Sequence, residues 1–136
     1  MNQKAFVQQY NLQVGDRIVR SKGPLSAHHG IFVGVHGGVP RMAENHIQMG
    51  VHYTTLDEFL GNAGNFKRIE KFLASESERE NVIPTINALL SKPYDLVNFN
   101  CEHFAEFIQT GRVESKQVNR TALSLFAVCL LVLAKL

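Results

Sequence analysis

Residues 98–107, NFNCEHFAEF, place a cysteine and a histidine where the chain changes from loop to helix. Asn100 is a favourable N-cap residue, because its side chain can accept hydrogen bonds from the N–H groups of the first turn. Four residues then follow at i, i+3, i+4 and i+7 and share one helical face: Cys101, Phe104, Ala105 and Ile108. Gly111 is suited to close the helix as a C-cap. This stretch therefore predicts the last helix of the domain, with Cys101 in its first turn.

The segments before this helix have the patterns of strands and then of helices. β-Forming residues, separated by Gly-rich turns, predict four strands, over residues 14–20, 28–35, 39–45 and 49–55. Residues 65–73 alternate weakly and are interpreted as a fifth strand. Two Ser/Thr-x-x-Glu patterns predict capping boxes, at Thr55 with Glu58 and at Ser77 with Glu80. An apolar stripe at helical spacing follows over residues 82–90. The order predicts an α+β fold in which an antiparallel β-meander packs on helices.

The composition excludes several classes of protein. The chain has 136 residues, enough for one domain, with 45% hydrophobic and 19% charged residues, which is typical of a folded globular protein. A net charge of +2 without a basic stripe argues against nucleic acid as a partner. Two cysteines make neither a disulfide framework nor a zinc motif, and the N-terminus lacks the apolar core of a signal peptide. We therefore expect a cytoplasmic protein without a metal site.

The C-terminal segment differs from the rest of the chain. Residues 122–134, ALSLFAVCLLVLA, are apolar except for Ser124, whereas a spanning helix needs roughly 20 apolar residues. The run is interpreted as an interfacial segment or the start of an anchor, with a terminal helix packed on the core as the alternative. Basic residues precede it, at Arg112, Lys116 and Arg120. The pattern predicts that residues 118–136 associate the protein with a membrane surface.

Cys101 has two interpretations. The first turn of a helix stabilises a negative charge, so a thiol there has a lowered pKa and becomes a candidate nucleophile. The alternative is a buried packing residue, which is the commoner role of a free cysteine. His103 is a poor base for this thiol, because two helical residues are separated by about 200° around the axis. The histidines elsewhere in the chain are the candidate bases: His28, His29, His36, His46 and His52.

His28 and His29 are the strongest of these candidates, since they open a segment with pronounced β character. Strand alternation puts position 28 on one face with Gly30 and Phe32, and position 29 on the other. We expect only one of the two histidines to face the interior. The pattern itself does not choose between them.

The chain contains HHGIFVG at residues 28–34, NCEHF at residues 100–104 and a Gly-Asp turn at 15–16. In these motifs it resembles the lecithin:retinol acyltransferase domain, which the small phospholipase A/acyltransferases share. The resemblance covers residues 13–117 and leaves an N-terminal segment, 1–12, and the apolar segment, 118–136. It implies a permuted papain-like fold of the NlpC/P60 type, with the catalytic cysteine at a helix N-terminus. Picornaviral 2A proteins share the histidine box and the Asn-Cys motif.

The resemblance also implies the roles of the site residues. Cys101 matches the family's nucleophile and His28 its general base. The family usually has a second histidine on the next strand, but this chain has RMAENH at 41–46. Aligning Arg41 to Ala43 with the family puts Glu44 in that position, where a carboxylate can orient the imidazole. Asn45 or His46 takes this position if the register slips.

The implied activity is acyl transfer from a phospholipid or another acyl ester, through an acyl-thioester on Cys101 and without a cofactor. A cysteine peptidase or amidase of the same superfamily is the first alternative. A non-enzymatic binding protein that keeps the fold, like some viral relatives, is the second, and the missing second histidine favours it.

Overall fold

The computed structural model describes residues 1–61 and 63–112. The five strands are β1 (Arg17–Ser21), β2 (Ala27–His36), β3 (Val39–His46), β4 (Gly50–Thr55) and β5 (Phe66–Glu70). The five α-helices of this part of the chain are α1 (Gln3–Gln9), α2 (Leu56–Leu60), α3 (Glu76–Glu80), α4 (Val82–Leu89) and α5 (Cys101–Thr110). A short 3-10 helix, Ala63–Asn65, precedes β5.

The strands form one antiparallel sheet in the order β4-β3-β2-β1-β5. Strands β1 to β4 follow one another as a meander, and β5 pairs with the free edge of β1. Gly37 and Gly38 make the tight turn between β2 and β3 with φ values of 58° and 77°, a conformation that glycine adopts without strain. The predicted α+β class, the meander and the fifth strand are confirmed. The permuted papain-like relation stays a prediction.

Helices cover both faces of the sheet. On one face, α4 and α5 enclose a core of side chains that includes Ile31, Ala43, Ile86 and Phe104. On the other face, α1 and α2 enclose a second core that includes Phe6, Ile18, Phe32, Met42 and Phe59. Helix α1 was not predicted from the sequence, although Asn2 caps it and Phe6 anchors it. A sheet that is covered on both faces buries both sets of alternating side chains.

This layering corrects one expectation. We expected only one of His28 and His29 to face the interior, but each is about 3% exposed. Because β2 lies in the middle of the sheet, its two faces meet two different cores. The two neighbouring histidines therefore lie in separate environments.

Different loops and turns lie at the two ends of the sheet, which we call the thiol end and the hairpin end. The thiol end consists of the β1–β2 loop (22–26), the β3–β4 turn (47–49) and the start of α5. The hairpin end consists of the Gly37-Gly38 turn, the start of β1 and the end of β5. Helix α5 runs from the first end to the second, where Gln109 donates hydrogen bonds to the carbonyls of Gly15 and Glu70.

A buried carboxylate organises the hairpin end. Asp16 is fully buried, and its two oxygens accept hydrogen bonds from the N–H groups of Gln13 and Phe72 and from the ammonium of Lys71, at 3.0, 2.9 and 2.7 Å. Arg79 lies 3.7 Å away. These partners come from the turn before β1 and from the segment after β5. Asp16 therefore fastens the start of the meander to the chain that leaves the sheet.

One of the two predicted capping boxes is wrong. The box at Thr55 and Glu58 is present at the start of α2. The second box is formed by Ser75 and Glu78, at the start of α3, and not by Ser77 and Glu80. Both serines have a glutamate three residues later, so the pattern fits either. Tertiary contacts select the earlier start, because Arg79 donates hydrogen bonds to the carbonyls of Val14 and Phe72.

The apolar run at residues 122–134 lies outside the described residues, as does the predicted membrane segment that contains it. Among the helices within residues 1–61 and 63–112, none is long and apolar enough to cross a bilayer.

Candidate active site

Asn100 builds the start of α5 around Cys101. Its side-chain oxygen accepts hydrogen bonds from the N–H groups of Glu102 and His103, at 2.9 and 3.0 Å. Its own N–H donates to Nδ1 of His103 at 3.1 Å. His103 is therefore part of the cap. Cys101 occupies the first helical position, and the predicted apolar face that follows it is buried.

The thiol of Cys101 lies against the backbone at the start of β2. The side chain is buried, Sγ lies 3.9 Å from the carbonyl oxygen of Ala27, and the backbone of His29 contributes to lowering the pKa of the thiol. The loop before α5 is fastened to the sheet, because Nδ2 of Asn45 donates to the carbonyl of Phe99 at 2.8 Å. These contacts fix the sulfur beside the two histidines of β2.

His28 lies on the α2 face of the sheet, with its ring stacked on Phe59 at a centroid distance of 5.4 Å. Nε2 lies 2.5 Å from Oε2 of Glu44. Nδ1 of His28 is buried and makes no ordinary hydrogen bond within the described residues, and the imidazole interacts electrostatically with the nearby thiol of Cys101. Gly30 permits this packing, since a Cβ there would lie 2.6 Å from the Phe59 ring. Thiol, imidazole and carboxylate are therefore brought together from α5, β2 and β3.

The three groups shift one another's pKa values. Burial lowers the pKa of His28, but its hydrogen bonds to Cys101 and Glu44 outweigh burial and raise it above the ordinary value. Burial raises the pKa of the Cys101 thiol, but the hydrogen bond and positive charge of His28 outweigh it, and the net shift is downward. The pKa of Glu44 is also lowered, because His28 outweighs the effect of burial. The arrangement favours a thiolate beside an imidazolium.

His29 behaves in the opposite way, although it is the next residue. Burial on the α5 face lowers its pKa to about 4, with Arg17 contributing in the same direction. Its Nδ1, like that of His28, is buried and has no hydrogen-bond partner within the described ranges. This imidazole is therefore neutral near pH 7. Of the two histidines that the pattern left open, His28 is the one whose imidazole binds Glu44 and interacts with the thiol of Cys101.

The two alternatives to Glu44 lie elsewhere. The Asn45 side chain is fully buried and binds the loop before α5. His46 ends β3, where its Nδ1 accepts a hydrogen bond from the N–H of Gln48 at 3.1 Å. His36, another candidate base, lies at the hairpin end with Nε2 2.8 Å from the carbonyl oxygen of Val33. The structure thus brings Glu44, and not Asn45 or His46, to the imidazole of His28.

His52 belongs to the same cluster, and sequence reasoning considered it only as a possible base. Its Nε2 lies 3.1 Å from Oε1 of Glu44, the oxygen that His28 does not use. The β3–β4 pairing places Glu44 directly opposite His52. The short turn between these strands, with its glycine at position 50, is the signal that would have revealed this pairing.

No group of three or more His, Cys, Asp or Glu side chains in the described part of the chain has an arrangement that would hold a metal ion. Independently of this, Cys101 lies at the start of α5 and the pKa of its thiol is lowered. A thiolate at a helix start, with an imidazole that can carry its proton, can attack a carbonyl carbon and form a thioester.

Comparison with known protein families gives one match. The family model described as lecithin retinol acyltransferase matches residues 10–114, which is most of the chain and includes Cys101, His28 and Glu44. A comparison with curated proteins gives no match. The matched region extends from the end of α1 through α5. The chain therefore belongs to the lecithin retinol acyltransferase family.

Proposed function

We propose that this protein is a thiol acyltransferase or phospholipase A-type enzyme that takes an acyl group from a phospholipid ester onto Cys101. The observation that carries the proposal is that His28 binds Glu44 and interacts electrostatically with Cys101; in this set of three groups, which we call the contact chain, the pKa of the thiol is lowered and that of the imidazole is raised. Family membership supports acyl transfer as the type of reaction.

In the proposed first half-reaction, Nδ1 of His28 accepts the thiol proton and Sγ attacks the ester carbonyl carbon. Asn100 already uses the N–H groups of Glu102 and His103, so we assign the N–H of Cys101 to the oxyanion. The tetrahedral intermediate expels the alcohol of the lysophospholipid, which takes its proton from His28. Cys101 is then left as an acyl-thioester.

In the second half-reaction, water or another nucleophile attacks the thioester and gives its proton to His28. The acyl group leaves as a fatty acid or as an acylated acceptor, and the proton returns to the thiolate. Glu44 holds the Nε2–H tautomer of His28 while the ring is neutral and stabilises the cation when it forms. No metal or organic cofactor enters either step.

The surface around the thiol favours a lipid ester over a peptide. Three large apolar side chains at the thiol end are exposed, Leu25, Ile47 and Met49, and the loop that leads into α5 adds Leu96 and Val97. The hairpin end has two, Val35 and Leu73. Exposed apolar groups that gather on one surface are typical of contact with a membrane or an apolar partner. We propose that this end meets the lipid surface, and that residues 118–136 contribute to the same association.

A cavity of about 500 Å³ lies between α4, α5 and the loop that joins them. Its apolar lining consists of Leu89, Pro93, Phe99 and Phe107, and its polar lining includes Lys92 and Asp95. Burial, with the charge of Cys101 as a smaller cause, raises the pKa of Tyr94, another lining residue. The loop that forms this wall leads into α5, whose first residue is Cys101. We assign the cavity to part of the substrate acyl chain.

Mass spectrometry of the intact protein tests the proposal. The full chain is incubated with phosphatidylcholine vesicles and quenched in acid. We expect a mass increase of one acyl chain that maps to Cys101. The adduct should be absent in Cys101→Ala, strongly reduced in His28→Ala and retained in Cys129→Ser, which controls for acylation of the second cysteine.

Two results would replace the proposal. Cleavage of peptides or amides without any acyl adduct would favour the peptidase alternative. Neither an adduct nor fatty acid release from several phospholipid classes, with a folded protein, would favour the non-enzymatic alternative.

A further inference from the structure

We propose that His52 is a positioning residue of this site, which holds the Glu44 carboxylate in the orientation that His28 requires. The inference deepens the proposed function and rests on it. It adds a fourth member to the contact chain, so that an imidazole lies on each side of the carboxylate. His52 acts through Glu44 and has no direct role in the reaction.

Both ring nitrogens of His52 lie close to oxygen atoms. Nε2 is 3.1 Å from Oε1 of Glu44, and Nδ1 is 3.0 Å from the carbonyl oxygen of Gly50. A carboxylate and a carbonyl are both acceptors, and a neutral imidazole has one N–H to donate. The imidazolium form has two and satisfies both contacts. The two contacts therefore hold the ring of His52 between the Glu44 carboxylate and the backbone of its own strand.

The position of His52 allows it to restrain the rotation of the Glu44 carboxylate. A carboxylate can turn about its terminal bond, and one contact through Oε2 leaves that rotation weakly restrained. His52 engages Oε1, so each oxygen of Glu44 has its own imidazole. The side chain of His52 is about 21% exposed, compared with 8% for Glu44 and 4% for His28. His52 thus lies on the outer side of the buried carboxylate.

His46 is the nearest other imidazole, with its ring centroid 6.0 Å from that of His52. Its Nδ1 is used by the N–H of Gln48, so it does not orient Glu44 through that atom. His36 provides a matched control at the other end of β2, because it is also held by a backbone carbonyl but is far from Glu44 in the sheet register.

The test compares His52→Ala, His52→Gln and His36→Ala in the full chain, each with Cys129→Ser so that Cys101 is the one thiol. With phosphatidylcholine as substrate, we expect His52→Ala to lower kcat about tenfold, the loss of one charge-assisted hydrogen bond, with KM unchanged. His52→Gln should restore kcat to within about threefold, because the amide Nε2 can occupy the place of the imidazole Nε2. His36→Ala should match the parent.

A second measurement needs no lipid. The rate at which iodoacetamide alkylates Cys101 at pH 7 reports the thiolate, and we expect His52→Ala to lower it severalfold and His52→Gln to preserve it. Rates are normalised to the folded fraction from thermal unfolding. If the parent shows no acyl transfer but alkylation follows this order, the proposed function fails and the positioning role stands.

The inference is overturned if Cys101 is alkylated in His52→Ala at the rate of the parent and the kcat of this variant equals that of the parent. It is also overturned if His52→Gln is as impaired as His52→Ala, or if His36→Ala shows an equal loss. A fall in kcat with unchanged alkylation would contradict the route through Glu44 and His28.

Discussion

Two buried carboxylates lie at opposite ends of one sheet and have different kinds of partners. Asp16, at the hairpin end, is held by backbone N–H groups and by Lys71. Glu44, towards the thiol end, is held by the imidazoles of His28 and His52. Both side chains are at least 92% buried, so burial itself does not separate them.

The partners indicate what each carboxylate does. Backbone amides do not exchange their protons during a reaction, so the Asp16 cluster is a permanent connection between two segments of the chain. An imidazole gains and loses a proton near neutral pH, so a carboxylate bound to it is coupled to a group that can transfer protons. We therefore expect changes at Asp16 to lower stability and changes at Glu44 to lower reactivity.

The largest effect is expected from Glu44→Gln. A neutral amide does not stabilise the imidazolium of His28 and does not select its Nε2–H tautomer, so turnover should fall by at least about 100-fold. The free energy of unfolding should change by no more than about 1 kcal/mol, because a neutral His28 can still donate its Nε2–H to the amide oxygen, whereas the ammonium beside Asp16 keeps its charge. Steady-state kinetics and urea unfolding measure the two quantities. Unchanged turnover would remove Glu44 from the site.

Asp16→Asn should give the reverse result. The variant removes the acceptor charge from the Lys71 and Phe72 contacts, and we expect the free energy of unfolding to fall by about 3 kcal/mol. Turnover per folded molecule should stay within about twofold of the parent, since Asp16 lies at the far end of the sheet from Cys101. A large loss of turnover with little loss of stability would contradict the division between the two ends.

His29→Phe should change the dependence of stability on pH. The pKa of about 4 in the folded protein lies below the ordinary 6.5, so the unfolded chain binds more protons between these values. The free energy of unfolding should therefore fall by about 2 kcal/mol as the pH drops from 6.5 to 4. Phenylalanine cannot titrate, so the variant should lose this part of the slope. Urea unfolding from pH 4 to 8 tests it, and parallel curves would refute it.

The smallest effect is expected at the start of α3, next to the Asp16 cluster. Ser75→Ala removes the N-cap and should lower the free energy of unfolding by about 1 kcal/mol. Ser77→Ala is the matched control, because it lies inside the helix and should cost less than about 0.5 kcal/mol. Equal effects would mean that the cap does not determine where α3 begins. Neither variant should alter turnover.

The local features of this fold could be predicted from the sequence. Asn100 and Gly111 delimit α5, and both signals depend only on neighbouring residues. Gly37 and Gly38 specify the β2–β3 turn for the same reason. The contact of Glu44 with His28 followed from aligning Arg41 to Ala43 with a known family, and strand pairing accounts for it, since Gly30 lies opposite Glu44.

Features that depend on the tertiary arrangement could not be predicted. To predict that His29 is buried, one must know that helices cover both faces of the sheet. The alternation within one strand does not contain that information. The choice of Ser75 over Ser77 depends on Arg79 reaching the carbonyl of Val14. The role assigned to His52 depends on pairing across a third strand. In each case a long-range contact decides between local patterns of equal quality.

The pH dependence of Cys101 alkylation tests the central claim, that this end of the sheet holds an activated thiol, most directly. Iodoacetamide rates are measured from pH 4 to 10 for Cys129→Ser and for the same protein with Glu44→Gln. We predict a midpoint clearly below the value of about 8.5 for an ordinary thiol, and a shift towards that value when Glu44 is replaced. A midpoint at or above 8.5 in the protein with Glu44 intact would contradict the account.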